Sequence, residues 1–131
     1  MTKIIDGTNA VMGRLASYAA KQALLGEEIV ILNCEKVIIT GNRADIREKF
    51  GSRRKKIGSG QKGPKYSRLA YMIVKRAIRG MLSHRQTRGK EELKRIRCYS
   101  GVPEEFKDSK KIVSGKEKKM KFIHVEEITK N

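Results

Sequence analysis

The sequence predicts an α/β fold, and three observations predict it. Short β-branched runs at 3–6 and 28–32 flank a segment at about 12–25 whose apolar residues recur at helical spacing. Strand, helix, strand at that spacing suggests a parallel pair joined by a crossover helix. A second amphipathic helix at about 67–83 is followed by a strand at 96–99. Third, the charge is segregated: residues 43–95 hold 18 Lys and Arg against 4 acids, a net +14 of the chain's +17. The first 42 residues are neutral, 4 against 4, so the apolar scaffold and the charged surface occupy different stretches.

The elements follow in order. Residues 3–6 form a short apolar strand, and Gly7, Thr8 and Asn9 turn the chain. In the first helix Leu15, Ala19, Ala20, Ala23 and Leu24 share a face, and Gly26 stops it. Residues 28–32 and 36–40 read as two further strands. Only Asn33, Cys34 and Glu35 separate them, too few for a parallel crossover between neighbours. Either they form a hairpin or they are not adjacent in the sheet; both remain open. Gly41 and Asn42 then start a helix running to about Phe50.

Residues 51–65 carry four glycines, Pro64 and six cations without an apolar period, and are expected to be a long basic loop. In the helix at 67–83, Leu69, Ala70, Ile73, Val74, Ala77 and Met81 gather on one side. Arg68, Lys75 and Arg79 gather opposite, seven and eleven residues apart. A short helix at about 90–95 precedes the strand at 96–99. Residues 107–119 read as a Lys-rich tail or linker, and 122–125 as one more strand or an extended docking segment. There is no internal repeat.

A block of one sign repels itself unless something negative covers it, and phosphate is the expected cover. No Asp or Glu lies between Glu48 and Glu91, so no i,i+4 partner neutralises the stripe on the 67–83 helix. With no Trp and 5% aromatics, a base-stacking platform is not the main device. Contacts to phosphate and sugar are expected instead. The candidate RNA contacts are the cations Arg14, Arg43, Arg47, Arg53, Arg54, Lys55, Lys56, Lys62, Lys65, Arg68, Lys75, Arg76, Arg79, Arg85, Arg88 and Lys90. Arg14 lies near a helix start, where backbone N–H groups also face outward; pairing with Asp6 or plain exposure are its alternatives.

Other chemistries find little support. Gly58, Gly60 and Gly63 match the dinucleotide fingerprint, but no strand precedes them and Pro64 follows. Gly60 to Gly63 fits the GXXG loop of KH domains, yet no helical period precedes it. Residues 7–14 resemble a P-loop in position only, having one residue too many and Arg14–Leu15 in place of Lys–Ser/Thr. Cys34 and Cys98, 64 positions apart, read as small buried apolar residues, and with only two histidines a zinc site is not expected. No catalytic Ser/His/Asp or two-His-carboxylate spacing occurs. No apolar stretch suits a signal peptide or a membrane span, so a soluble, cytoplasmic protein without metal or cofactor is expected.

Several stretches together resemble a known family: residues 12–17 (MGRLAS), 33–42 (NCEKVIITGN), 79–89 (RGMLSHRQTRG), 99–103 (YSGVP) and 121–124 (KFIH). Taken in order they are similar to the universal large-subunit ribosomal protein thirteen family, in its archaeal and eukaryotic form. The resemblance implies a three-layer fold with a mostly parallel, four-stranded central sheet flanked by helices, a basic loop at 51–66 and an extended C-terminal tail. It implies one rRNA-binding domain over 1–106, with 107–131 packing on it or on a neighbour. It implies a non-catalytic role in the large subunit, with large-subunit rRNA and neighbouring ribosomal proteins as partners and no membrane or small-molecule substrate. It adds Gly80, His84 and Gly89, beside Arg79, Arg85 and Arg88, as RNA contacts. Where the family commonly has Pro at position 83 and shortly after Arg68, this chain has Ser83 and Leu69–Ala70. The rival readings are a free-standing KH-like or regulatory RNA binder, and a nucleotide-dependent enzyme.

Overall fold

In the computed structural model, residues 2–55, 69–107, 112–113 and 121–129 are described. Strand β1 (Thr2–Asp6) leads through α1 (Met12–Leu24) to β2 (Glu28–Leu32). The two strands pair in parallel from Thr2 opposite Glu28 to Asp6 opposite Leu32, which makes the expected strand–helix–strand unit. The helix packs close because its buried face, Leu15, Ala16, Ala19, Ala20 and Ala23, is mostly alanine. Gly26 ends it with φ at +89°, a conformation a side chain disfavours. Four of the five β2 residues are buried, as expected of a strand covered on both faces.

After β2, Asn33 takes a left-handed conformation and residues Cys34–Lys36 form a single 3₁₀ turn. Strand β3 (Ile38–Thr40) follows. It is shorter than the expected run at 36–40 and does not join the parallel sheet. It pairs antiparallel with β6 (Phe122–His124), Ile38 opposite His124 and Thr40 opposite Phe122. The short connection is thus resolved by placing its two strands in different sheets. Val125, expected to extend the last strand, instead begins α5 (Val125–Thr129).

Helix α2 (Arg43–Lys55) runs five residues further than the sequence suggested. Residues 51–55, expected in the loop, are its last turn. Helices that are polar all round escape a test based on apolar period. The motif at 58–63, with Lys56, Lys62, Lys65 and Arg68, lies outside the described residues. Helix α3 (Ala70–Arg79) is shorter than the expected 67–83 at both ends. Leu69 and Met81, assigned above to its core face, are both exposed, because they lie beyond the helix that would have turned them inward. Helix α4 (Thr87–Lys94) begins three residues before the expected 90–95 segment, and β4 (Ile96–Cys98) stops one residue short of Tyr99.

β4 pairs in parallel with β2, Ile96 opposite Ile29 and Cys98 opposite Ile31, giving a three-stranded parallel sheet in the order β4-β2-β1. Strand β5 (Ile112–Val113) lies parallel along the other edge of β1. α1 and α3 pack on one another, and with β1, β2 and β4 they enclose the main core around Ile5, Leu15, Ile29, Ile31, Val74 and Ile96. The segment 121–129 is part of the packed body, since Ile123, Val125 and Ile128 are fully buried.

Candidate nucleic-acid interface

Helix α3 is the best-defined part of the charged surface. Ala70, Ile73, Val74 and Ile78 are buried, which fixes the rotation of the helix and sends Lys75, Arg76 and Arg79 toward the rim. All three are half-buried, so their aliphatic stems lie along the protein while the charged ends remain near solvent. Arg76 and Arg79 also stand in the last turn, where a cation complements the helix dipole.

Beyond α3 the chain folds into a tight turn, with Met81 N–H donating to the Ile78 carbonyl (2.9 Å) and Gln86 N–H to the Ser83 carbonyl (2.9 Å). Gly89 locks this turn from α4. A Cβ at position 89 would stand 1.8 Å from the Ser83 carbonyl oxygen and 2.8 Å from the His84 nitrogen, so only glycine fits. Gly89, named from the resemblance as an RNA contact, is buried and makes its close backbone approach to the chain's own turn. Gly80 is exposed, in ordinary right-handed helical conformation, with no contact closer than 3.6 Å to an added Cβ. His84 is half-buried, and its Nδ1 is buried without a hydrogen-bond partner among the described residues. Arg85 and Lys90 are exposed. Arg88 is exposed and lies 3.8 Å from the buried carboxylate of Glu92, one turn on.

Arg14 joins this corner from a distant part of the sequence. Its neighbour one turn along, Ser17, has its hydroxyl 3.6 Å from Met81 Sδ, which sets the start of α1 against the 80–86 turn. Arg14 is exposed. Asp6, its possible partner, accepts hydrogen bonds from Thr8 N–H (3.0 Å), the Thr8 hydroxyl (2.7 Å) and Asn33 Nδ2 (3.0 Å).

Arg43 and Arg47 take a different place. Both reach Glu127 of α5, at 3.6 Å and 3.9 Å, and Arg43 Nε donates to the Phe122 carbonyl at 3.2 Å. These two cations tie α2 to the β6–α5 segment and stand apart from the corner built by α3 and α4. Arg53, Arg54 and Lys55 lie on the last turn of α2. Lys121, not a candidate from sequence, lines with Asn42, Arg43 and Phe122 a shallow cleft of about 470 Å³. Linear inspection has no signal for this cleft, since its two halves lie nearly eighty residues apart and meet through the β3–β6 pairing and the Arg43–Phe122 bond.

The carboxyl ends of the parallel strands, where open α/β sheets commonly bind nucleotides, are laced together by the chain itself. Asn33 N–H donates to the Gly101 carbonyl (3.0 Å), Gly101 N–H to Glu35 Oε2 (2.9 Å) and Cys34 N–H to the Tyr99 carbonyl (3.1 Å). Among the described residues no group of three or more His, Cys, Asp or Glu is placed to hold a metal ion. No described helix is long and apolar enough to cross a membrane.

Fold and charge together define a basic α/β protein with a run of cations on α3, the turn after it and α4, and a second set on α2. The family model described as Ribosomal protein L13 matches residues 1–105. The chain is 47% identical over 108 residues to the large ribosomal subunit protein uL13 of Thermoplasma volcanium, covering 82% of this chain and 79% of that one. It is 50% identical over 104 residues to the protein of the same name from Methanococcus maripaludis, covering 77% and 76%. With the one from Picrophilus torridus it shares 45% identity over 129 residues, 96% and 93% of the two chains. The chain belongs to the ribosomal protein L13 family, a family of structural ribosomal proteins and not of enzymes.

Proposed function

We propose that this chain is a structural constituent of the large ribosomal subunit in the cytoplasm, where it binds and organises large-subunit rRNA beside neighbouring ribosomal proteins. The observation that carries this reading is the acid-free run from Lys49 to Lys90, whose described C-terminal part lies on α3, the turn after it and α4, in a chain of the L13 family. Lys75, Arg76, Arg79, Arg85, Arg88 and Lys90, with Arg14 beside them, are the proposed phosphate contacts of that corner. His84 and Gly80 are proposed to meet ribose and backbone at the same turn. Arg53, Arg54 and Lys55 at the end of α2, with Lys56, Lys62, Lys65 and Arg68 in the sequence that follows, would continue the contact. Arg43 and Arg47 contribute by holding α2 while their outer faces meet RNA.

In the fuller architecture we propose, residues 1–106 form the rRNA-binding domain and 107–131 packs back on it, with β5 of that segment adding the fourth strand of a three-layer body. Clamping of this kind acts mainly by releasing condensed counterions, so affinity falls steeply with salt. For duplex nucleic acid, six to ten phosphate contacts lose about 10³–10⁵ in affinity between low and moderate salt.

The test is sedimentation of the native protein in low-salt lysate, combined with footprinting of large-subunit rRNA with and without it. Co-sedimentation with large subunits and protection of a defined rRNA region are expected. A protein running wholly free of large subunits in low salt sinks the proposal.

A further inference from the structure

Cys34 and Cys98 are far apart in sequence, and the fold brings them together. Parallel pairing sets Cys98 opposite Ile31, and the Cys34 thiol reaches the Ile31 carbonyl at 3.7 Å. The Cys34 N–H donates at 3.1 Å to the carbonyl of Tyr99, the residue after Cys98. Both are free thiols in the main core cluster, Cys34 fully buried and Cys98 9% exposed. Every residue of the basic block, 43–95, lies between them.

We propose that Cys34 and Cys98 form a reversible intramolecular disulfide, a staple closing the base of the excursion that carries the basic block. The oxidant is a small-molecule disulfide of the glutathione type. The Cys98 sulfur, the more reachable of the two, loses its proton and attacks that disulfide. A mixed disulfide forms and one small thiol leaves with the proton. The Cys34 sulfur then attacks the Cys98 side of the mixed disulfide, its own proton going to the second departing thiol. One S–S bond is broken, one is formed, and the two electrons lost by the cysteines reduce the reagent to two thiols.

The neighbouring Cys98 side chain, which favours the protonated Cys34 as donor, and after it burial, push the Cys34 thiol up. Thiolate is the reacting form, so exchange in the folded protein is slow in both directions. The staple forms as the chain folds or opens, and once formed it is sheltered from reductant. Its benefit is to the unliganded protein. Closing a loop of roughly 65 residues removes entropy from the unfolded chain equivalent to on the order of 10³ in the folding equilibrium. It does so without disturbing the β2–β4 register on which the basic corner rests.

The proposal stands independently of RNA binding and is tested on the whole reduced chain. Protein is equilibrated in mixtures of reduced and oxidised glutathione, with and without denaturing urea. It is then quenched with acid, alkylated, and measured by mass spectrometry with peptide mapping. The expected product is a monomer lighter by two hydrogens that links the Cys34 and Cys98 peptides. Its effective thiol concentration should be on the order of 10³-fold higher in the folded than in the denatured arm. A ratio below about ten overturns the proposal, because folding would then not favour the bond. Cross-linking confined to dimers or to mixed disulfides with glutathione overturns it equally.

Discussion

Helices α1 and α2 are the same length, 13 residues each, and are held in opposite ways. α1 buries five side chains against the sheet and α3. Among the described side chains of α2, 43–52, none is fully buried; Ile46 and Phe50 are half-buried and provide its apolar contact. It depends instead on a capping bond from the Ala44 N–H to Asn42 Oδ1 (3.0 Å) and on the pull of Glu127 on Arg43 and Arg47. The contrast teaches that the basic block is not held as one piece. Exclusion of water places α1 and, within the basic block, α3, whereas α2 relies more on charge, and charge is screened by salt within about 10 Å at 0.1 M.

The sharpest way to break this contrast is to destroy the basic block by packing and leave its charge untouched. Gly89→Val puts carbon inside the Ser83 carbonyl. We expect it to cost roughly 3–5 kcal/mol in urea unfolding, the range of severe single-site defects. If Gly89→Val unfolds like the parent protein, the turn is not locked as described. Matched truncations on the two sides come next. Ile31→Ala, fully buried in β2, should lose about 2–5 kcal/mol. Ile46→Ala, half-buried on α2, should lose about 1 kcal/mol or less. Equal losses would erase the distinction between the helices.

Charge removal reverses the ranking, because its effect appears in binding. Lys75→Ala with Arg79→Ala should change stability by about 1 kcal/mol or less. The slope of log affinity against log salt for large-subunit rRNA should fall by about 2, roughly one per lost phosphate contact. An unchanged slope removes these two residues from the interface. A double-mutant cycle on Arg43 and Glu127 should give a coupling of about 0.2–1 kcal/mol that fades with salt, as for other solvent-exposed ion pairs. A coupling unaffected by molar salt would mean that α2 is fixed by something other than charge.

The smallest effect concerns pH. The folded-state pKa of the Cys34 thiol is raised above its ordinary value of 9.0. The folded protein therefore keeps a proton that the unfolded chain releases. This contribution to stability is complete below pH 9.0 and is lost as pH rises further. Thermal melts of the reduced protein should decline in that window. Cys34→Ala should flatten the decline, and an identical slope in that variant would assign it to other groups.

Much of the scaffold was legible because it obeys local periods. β1, α1, β2 and β4 lie within a residue or two of where alternation, alanine spacing and Gly26 put them. The failures have physical causes. β3 reads as a strand, but its partner is more than eighty residues away, so no local signal could assign it to a second sheet. α2 hides its last turn because a helix without an apolar face has no period to detect. Leu69 and Met81 fit the spacing of α3 yet sit past its ends, where spacing no longer means facing. At the site, the grouping of Lys75, Arg76, Arg79, Arg85 and Lys90 follows from contiguity and was readable. The placing of Ser17, near the start of α1, beside Met81, and of Arg43 and Arg47 on Glu127, required tertiary contacts.

The antiparallel pairing of β3 with β6 bears on how the chain is made. Ile38–Thr40 leaves the peptidyl-transferase centre early, yet the residues that satisfy its free edge, Phe122–His124, are polymerised more than eighty residues later. Through that interval the nascent protein displays an open strand edge, and the whole cationic run is synthesised while the edge stands exposed. An unpaired edge beside a growing polycation invites mispairing and premature capture by any nearby polyanion. A chaperone shielding β3 during translation would therefore protect this protein most in the window before residue 122 emerges.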